Sequence, residues 1–198
     1  MPDRDWWQAL WPDPENLLRA IGIRPEMTVL DLCCGDGYFT APMASLVNGK
    51  VIGLDIDPDM LDQARAEVAR SGASVRQWIC GNADGVEDLL SEHVDFILIA
   101  NTFHGVPEQT NLARAAASIL KQDGRFAVVN WDQIARECTP VLDEPRGPRT
   151  EMRMSPDQVR AVIEPAGFTF VDLVQLPPYH YAVIFRLGAA ETSGQKNE

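Results

Sequence analysis

The sequence predicts an α/β fold of a single domain: a three-layer sandwich around a seven-stranded, mostly parallel sheet with an antiparallel last strand. Two observations predict the sheet. From Pro25 onward, short apolar runs with β-branched residues alternate with segments of helical period. Such alternation implies right-handed crossovers between parallel strands covered on both faces. Two strand-like runs, "FTFVDLVQL" and "HYAVIFRL", then follow one another, split by Pro177-Pro178, and so short a connection makes them antiparallel neighbours. A third observation is the stretch "VLDLCCGDGYFT" from Val29 to Thr40. It sets an acidic residue and a glycine turn between the first strand and the helix after it, where a small molecule would bind.

Residues 1–13, rich in Trp, Pro and Asp, show no clear period, and a short helix is expected from Pro14 to about Ala20, stopped by Gly22. "EMTVLDL", bounded by Pro25 and Gly35, reads as a buried first strand. A helix is expected over Tyr38–Val47 with "NGK" as its exit turn, then "VIGLDI" as the second strand. Asp57 caps the next helix with Pro58 at its first position; Met60, Leu61, Ala64 and Val68 share one face, and Gly72 ends it. "SVRQWIC" and "VDFILIA" are the third and fourth strands, around a loop and short helix in "GNADGVEDLLSE". Leu112, Ala116, Ile119 and Leu120 at helical spacing predict a helix from about Pro107 to Lys121, ahead of the fifth strand "GRFAVVNW". Residues 132–154, with Pro140, Pro145, Gly147 and Pro148, are the least regular part, and Ser155 with Gln158 then forms a capping box for the last helix.

Composition narrows the function classes. The 198 residues are 45% hydrophobic and 23% charged, with a formal net charge of −12. That is ordinary for a globular protein and enough chain to bury a core without disulfides or a structural metal. The Arg residues are scattered, the loose cluster being Arg146, Arg149 and Arg153, and the lack of a basic face argues against a nucleic-acid partner. The longest apolar run, Phe96–Ala100, is far too short to span a bilayer. The stretch "MPDRDWWQALWPDPE" lacks the basic, apolar, small order of a secretory signal. Cys33, Cys34, Cys80 and Cys138 have no C-x-x-C spacing. The expectation is a cytoplasmic monomer or homodimer with reduced thiols, no metal site, and a small molecule as its substrate.

In a sheet of this kind, ligands bind beyond the carboxyl ends of the strands where strand order reverses. Gly35 and Gly37 are expected to let the backbone approach such a ligand, and the following helix offers free N–H groups. Asp55, at the acidic end of the second strand, lies 18 residues after Gly37, near the spacing of a carboxylate that receives ribose hydroxyls. Thr40 stands where a dinucleotide fingerprint has its third glycine, and Asp31 and Asp36 put negative charge where a pyrophosphate would sit. Asp31 suits a cationic group such as an α-amine.

Taken together, "VLDLCCGDGYFT", "VIGLDIDPDML", "GNAD" and "VDFILIANTFHGV" resemble the successive binding motifs of class I S-adenosylmethionine-dependent methyltransferases, in the small ubiquinone-biosynthesis-like, type 11 branch. The resemblance runs from about Pro25 to Leu187 and implies a Rossmann-like fold with S-adenosyl-L-methionine as cofactor. It implies Asp31, Gly35 and Gly37 around the methionine part, Asp55 on the ribose hydroxyls, Ile56 against the adenine, Asp84 facing the adenine amine, and Asn101 beside the methyl. The domain limits that follow are a Trp-rich lid or helix extension over 1–24, a methyltransferase domain over 25–187, and a disordered tail over 188–198. Cys33 departs from the family, which has Gly there; a Cys fits if the backbone does not need a positive φ. Cys33 and Cys34 read as small buried fillers, with a reactive or metalloid-binding role as the alternative.

The acceptor side rests on fewer signals. His104 follows the fourth strand, as a general base, a substrate contact, or a side chain satisfying local backbone groups. Trp7 and Trp11, with Trp6, are expected to wall or cover the pocket, with plain packing as the alternative, and Trp131 ends the fifth strand on the same side. Arg149 and Arg153 are either partners for an anionic substrate or part of a solvated loop. The predicted function is methyl transfer to a small molecule in an aromatic-lined pocket. A non-catalytic S-adenosylmethionine-binding protein and a NAD-dependent oxidoreductase are the alternatives.

Overall fold

In the computed structural model, which describes residues 4–188, the parallel strands are β1 (Val29–Leu32), β2 (Val51–Asp55), β3 (Gln77–Cys80), β4 (Val94–Ala100) and β5 (Leu120–Trp131). A two-residue pair, β6 (Pro140–Val141) and β7 (Glu144–Pro145), forms a separate hairpin, and β8 (Phe168–Leu176) and β9 (His180–Leu187) close the chain. Seven strands pair in the order β3-β2-β1-β4-β5-β9-β8. β9 runs antiparallel to both its neighbours, as expected of the last strand. The order reverses at β1 and β4, which are adjacent and parallel, so the ligand crevice lies between their carboxyl ends. The expected tail falls outside the described residues apart from Gly188, as do residues 1–3.

Alternation of side chains along each strand divides the core into two layers. Leu30, Leu32, Ile97, Ile99, Phe126 and Val128 face one side, under α6 (Gln109–Ser118) and α7 (Pro156–Ile163). Val29, Phe96, Leu98, Ala127 and Val129 face the other, under α1 (Arg4–Leu10), α2 (Pro14–Ala20) and α3 (Thr40–Leu46). Capping works as the sequence implies. Asp57 accepts from the N–H of Asp59 at the start of α4 (Pro58–Arg70), and Ser155 and Gln158 form the reciprocal box at α7. A short α5 (Val86–Leu89) follows β3. Among the described residues, no helix is long and apolar enough to cross a membrane.

Three expectations need correction. Residues 4–10, expected to be irregular, form α1: Trp6, Trp7 and Leu10 are buried on one side of the helix, and Trp11 follows them into the core. The helix expected to reach Lys121 ends at Ser118, and β5 begins at Leu120. Leu120 pairs with Val94, the register then shifts, and pairing resumes at Arg125. Lys121 is drawn to the sheet by Asp95, at 2.9 Å. The backbone at Cys33 does adopt a positive φ, of 62°, so the Cys occupies a left-handed position that glycine fills without strain.

Candidate functional site

The carboxyl ends of β1 and β4, with the turn after β1, enclose a narrow cavity of about 80 Å³, lined among others by Asp31, Cys34, Gly35, Tyr38, Asn101 and Trp7. The turn after β1 is shaped by Cys33 and Gly35 at φ 62° and 55°. It is held by the N–H of Cys34 on the carbonyl of Leu54 (2.9 Å) and the N–H of Gly35 on Asp55 Oδ2 (2.8 Å). Asp31 is only 2% exposed and accepts the hydroxyl of Thr40 at 2.5 Å. Burial raises its pKa to about 7; the Thr40 hydroxyl opposes that shift, and the charges of Asp55 and Asp36 add to it. A carboxylate so placed gains from any cation that enters the cavity.

Asn101 ends this cavity. It sits at φ 60°, a left-handed conformation that Asn tolerates better than most residues, and both its amide atoms are buried with no hydrogen-bond partner. A buried amide of this kind is costly unless something supplies partners. Asp55, Ile56 and Asp84 cluster at the neighbouring ends of β2 and β3. Asp55 is buried, Ile56 is 67% exposed at the strand end, and Asp84 is exposed on the one-turn helix Ala83–Gly85. None of the three lines this cavity or the wider one beside it.

A second, wider cavity of about 370 Å³ adjoins the first; Trp7 and Asn101 stand in the walls of both. Its remaining lining includes Trp6, His104, Trp131, Arg136, Arg146 and Gly147. Gly147, at φ 84°, lies so close over the Trp131 ring that a Cβ there would come within 2.7 Å of it. Burial pushes the His104 imidazole below its ordinary pKa; the neighbouring Asn130 amide opposes and the Arg153 charge reinforces the shift. Asn130 nonetheless makes no hydrogen bond of normal geometry, and both its amide atoms are buried. Burial therefore favours the neutral imidazole, the form with a free ring nitrogen.

Several expected site residues do other things. The missing Cβ of Gly37 accommodates α4, because a Cβ would stand 2.7 Å from the Cα of Ala64, and Gly37 lines neither cavity. Trp11 lines neither cavity. Its Nε1 donates to the carbonyl of Pro177 (3.2 Å), and its ring stacks on Trp7 and meets His180 edge-on at 4.5 Å. Arg149 is 79% exposed beside Glu151 and lines neither cavity. Arg153, 2% exposed, is a staple for residues 132–154. It donates to the carbonyls of Ile134, Pro148 and Arg146 and to the Thr139 hydroxyl, and lies 4.9 Å over the Trp131 ring. Residues not singled out from the sequence take the vacated places: Tyr38 and Phe39 in the first cavity, Arg136 and Arg146 in the second. The loose arginine cluster was the only signal for Arg146, and Arg136 had none.

With this geometry in view, comparison with known proteins becomes specific. A family model described as "Methyltransferase domain" matches residues 29–124. A demethylmenaquinone methyltransferase of Lactococcus lactis is 27% identical over 127 residues, which cover 63% of this chain and 48% of that protein. A ubiquinone biosynthesis O-methyltransferase of Xanthomonas axonopodis pv. citri is 31% identical over 135 residues, covering 61% and 54% respectively. The chain thus spans about half the length of the curated relatives it matches. The crystal structure of a SAM-dependent methyltransferase from Aquifex aeolicus superposes with a TM-score of 0.77 at 24% identity, covering 93% of this chain and 94% of that one. The chain has the fold of the class I S-adenosylmethionine-dependent methyltransferases.

Proposed function

We propose that this chain is an S-adenosylmethionine-dependent methyltransferase acting on a small molecule held in the aromatic-walled cavity. One observation carries the reading: the two cavities share Trp7 and Asn101, so a group bound in the first can present a substituent to an acceptor bound in the second. The residues fit the cofactor. Asp31 offers a buried carboxylate to an α-amine, the orphaned Asn101 amide offers a donor and an acceptor, and the Gly35 turn brings backbone close to the crevice. Asp55, Ile56 and Asp84, at and after the ends of β2 and β3, are assigned to the adenosine part.

When bound, the cofactor supplies an electrophilic methyl on a sulfonium that is its own leaving group. What remains for the protein is alignment, exclusion of water, and removal of a proton where the acceptor needs it. Trp6, Trp7 and Trp131 position a planar acceptor by stacking and keep water out. His104, held neutral by burial, is the group that takes a proton from an acceptor hydroxyl on an imidazole nitrogen.

A thermal-shift panel of S-adenosylmethionine, S-adenosylhomocysteine and NAD tests the cofactor half. At a ligand concentration 100 times the dissociation constant, stabilisation is expected to be about 2.7 kcal/mol for the adenosyl ligands and absent for NAD. No shift with either adenosyl ligand would sink the reading. Methyl transfer on an acceptor panel separates an enzyme from a non-catalytic binder.

A further inference from the structure

We propose that the acceptor is a planar aromatic carboxylate, its ring held by the tryptophans of the second cavity and its carboxylate by Arg136 and Arg146. This rests on the reading of that cavity as the acceptor site. The walls suit a flat ring: Trp6 and Trp7 are themselves stacked, 4.6 Å apart and 12° from parallel, and Trp131 lies 6.0 Å from Trp6. The cavity, about 370 Å³, is of the size that takes a small organic ligand.

Charge narrows the class further. The chain carries 29 acidic residues against 17 basic ones, yet no carboxylate among the described residues forms an ion pair with Arg136 or Arg146. The Arg146 guanidinium lies 6.0 Å over Trp6, and its Nε is buried with no hydrogen-bond partner. Arg136 uses its Nε on the carbonyl of Gly147, at 3.1 Å, and its terminal nitrogens make no hydrogen bond among the described residues. Arg153, behind Trp131, spends its donors on carbonyls and a hydroxyl and so keeps its full positive charge. Its charge is felt alongside that of Arg136, and Glu137 and Asp132 act against them. A guanidinium donor left unsatisfied beside indole rings is unfavourable until an anion arrives. The planar fork of Arg matches a carboxylate's two oxygens, and two such forks give the anion both energy and orientation.

The test uses the full chain and three probe acids, benzoate, 4-hydroxybenzoate and 2-naphthoate, each against its neutral carboxamide. Binding is read by calorimetry with and without S-adenosylhomocysteine. At least one acid is expected to bind about tenfold or more tighter than its amide. That preference is expected to vanish in the double variant Arg136→Gln, Arg146→Gln and to survive in part in Arg146→Lys. S-adenosylhomocysteine affinity reports whether the double variant is folded. Should it not fold, the single variant Arg146→Gln carries the same comparison, because that guanidinium makes no hydrogen bond to the rest of the chain among the described residues. The proposal is overturned if no acid binds at about 10 mM, if acid and amide bind alike, or if the folded double variant (or Arg146→Gln in its place) keeps the full preference. An acid preference in a protein that binds no adenosyl ligand would sustain the anion subsite and sink the methyl-transfer reading instead.

Discussion

The Asp55 carboxylate accepts the backbone N–H of Gly35 at 2.8 Å, so the end of β2 is tied to the turn that closes β1. Its other oxygen accepts the N–H of Asp57 at 3.0 Å. A carboxylate has about four acceptor sites, which leaves room for ribose hydroxyls on a side chain that already organises the turn. Asp55→Ala is therefore expected to lower the melting temperature as well as cofactor affinity, at a cost of about 1–3 kcal/mol for each N–H left without an acceptor. Asp55→Asn keeps an acceptor oxygen and is expected to retain more stability than affinity. Thermal melts and calorimetry on both variants check this. An Asp55→Ala protein that melts like the parent would show that the Gly35 bond is dispensable.

Asp31 makes cofactor binding depend on pH. Its pKa is raised to about 7, chiefly by burial, so near neutrality its protonation state is divided. A cationic amine is attracted only by the ionised form, and S-adenosylhomocysteine affinity is expected to climb as pH rises through about 7 and then level off, as long as the amine stays charged. Stability moves the other way. The native state keeps a proton that the unfolded chain releases above about pH 4, so Asp31's contribution is full below that value and is lost as pH rises to about 7. Asp31→Asn is expected to melt higher than the parent at about pH 8 while binding the cofactor much more weakly. Melts and titrations across that range provide the check; affinity that is flat with pH would rule out the Asp31–amine pairing.

The cysteines should divide by reactivity. Burial pushes the Cys33 thiol up to about 12, with Asp55, Asp31 and Asp84 adding to the shift; burial also raises Cys34, with Asp31, Asp55 and Cys33 adding. Thiolate is the nucleophile, so iodoacetamide at neutral pH is expected to label the exposed Cys80 and Cys138 well before Cys33 or Cys34. Mass spectrometry of a labelling time course reads this directly. Rapid labelling of Cys33 in the folded protein would point to a reactive role for it.

The left-handed backbone at Cys33, φ 62°, gives a stability ordering. Glycine adopts that conformation freely, whereas an L-residue there costs about 1–2 kcal/mol. Cys33→Gly is expected to be more stable than Cys33→Ala, and Cys33→Val the least stable, because β-branched residues resist this region most. Denaturant melts of the three variants test the order.

The amino-terminal tryptophans are part of the core as well as of the site. Tyr38 shares its hydroxyl with the carbonyls of Trp7 (3.2 Å) and Trp11 (2.5 Å), and Trp7 stacks between Trp6 and Trp11. Removing residues 1–13 is expected to lower the melting temperature by several degrees and to weaken S-adenosylhomocysteine binding, because Trp7 also walls the first cavity. Trp7→Phe keeps an aromatic wall and is expected to retain folding with a smaller loss. A truncated protein with parental melting temperature and turnover would show that α1 is an independent appendage.

How much could be read in advance depends on how local each signal is. α2, α4, β8 and β9 are bounded by Pro, Gly or capping residues within one or two positions of their observed ends, and such signals act through neighbouring backbone atoms. The position of Asp31, Gly35, Asp55 and Asn101 along one sheet edge is equally legible, because strand ends in an alternating α/β chain converge on one edge whatever the details of packing. The α6–β5 boundary was not legible. Leu120 continues the helical period, but pairing with Val94 outweighs it, and no residue near Leu120 announces that partner.

From the chain alone come the parallel sheet, its antiparallel last strand, and the line of acidic and glycine residues along the crevice; each follows from period, capping or turn chemistry over a few residues. Only the tertiary structure decided which side chains share a cavity. It turned Gly37 toward Ala64, buried Arg153 as a staple and Trp11 as packing, left Arg149 in solvent, and brought Arg136 and Arg146 beside Trp6 and Trp131. The reason is physical: residues 4–11 and 132–154 have no regular period of their own, and their positions are set by indole rings buried against segments more than a hundred residues away and by Arg153, whose donors fold residues 132–154 back on themselves.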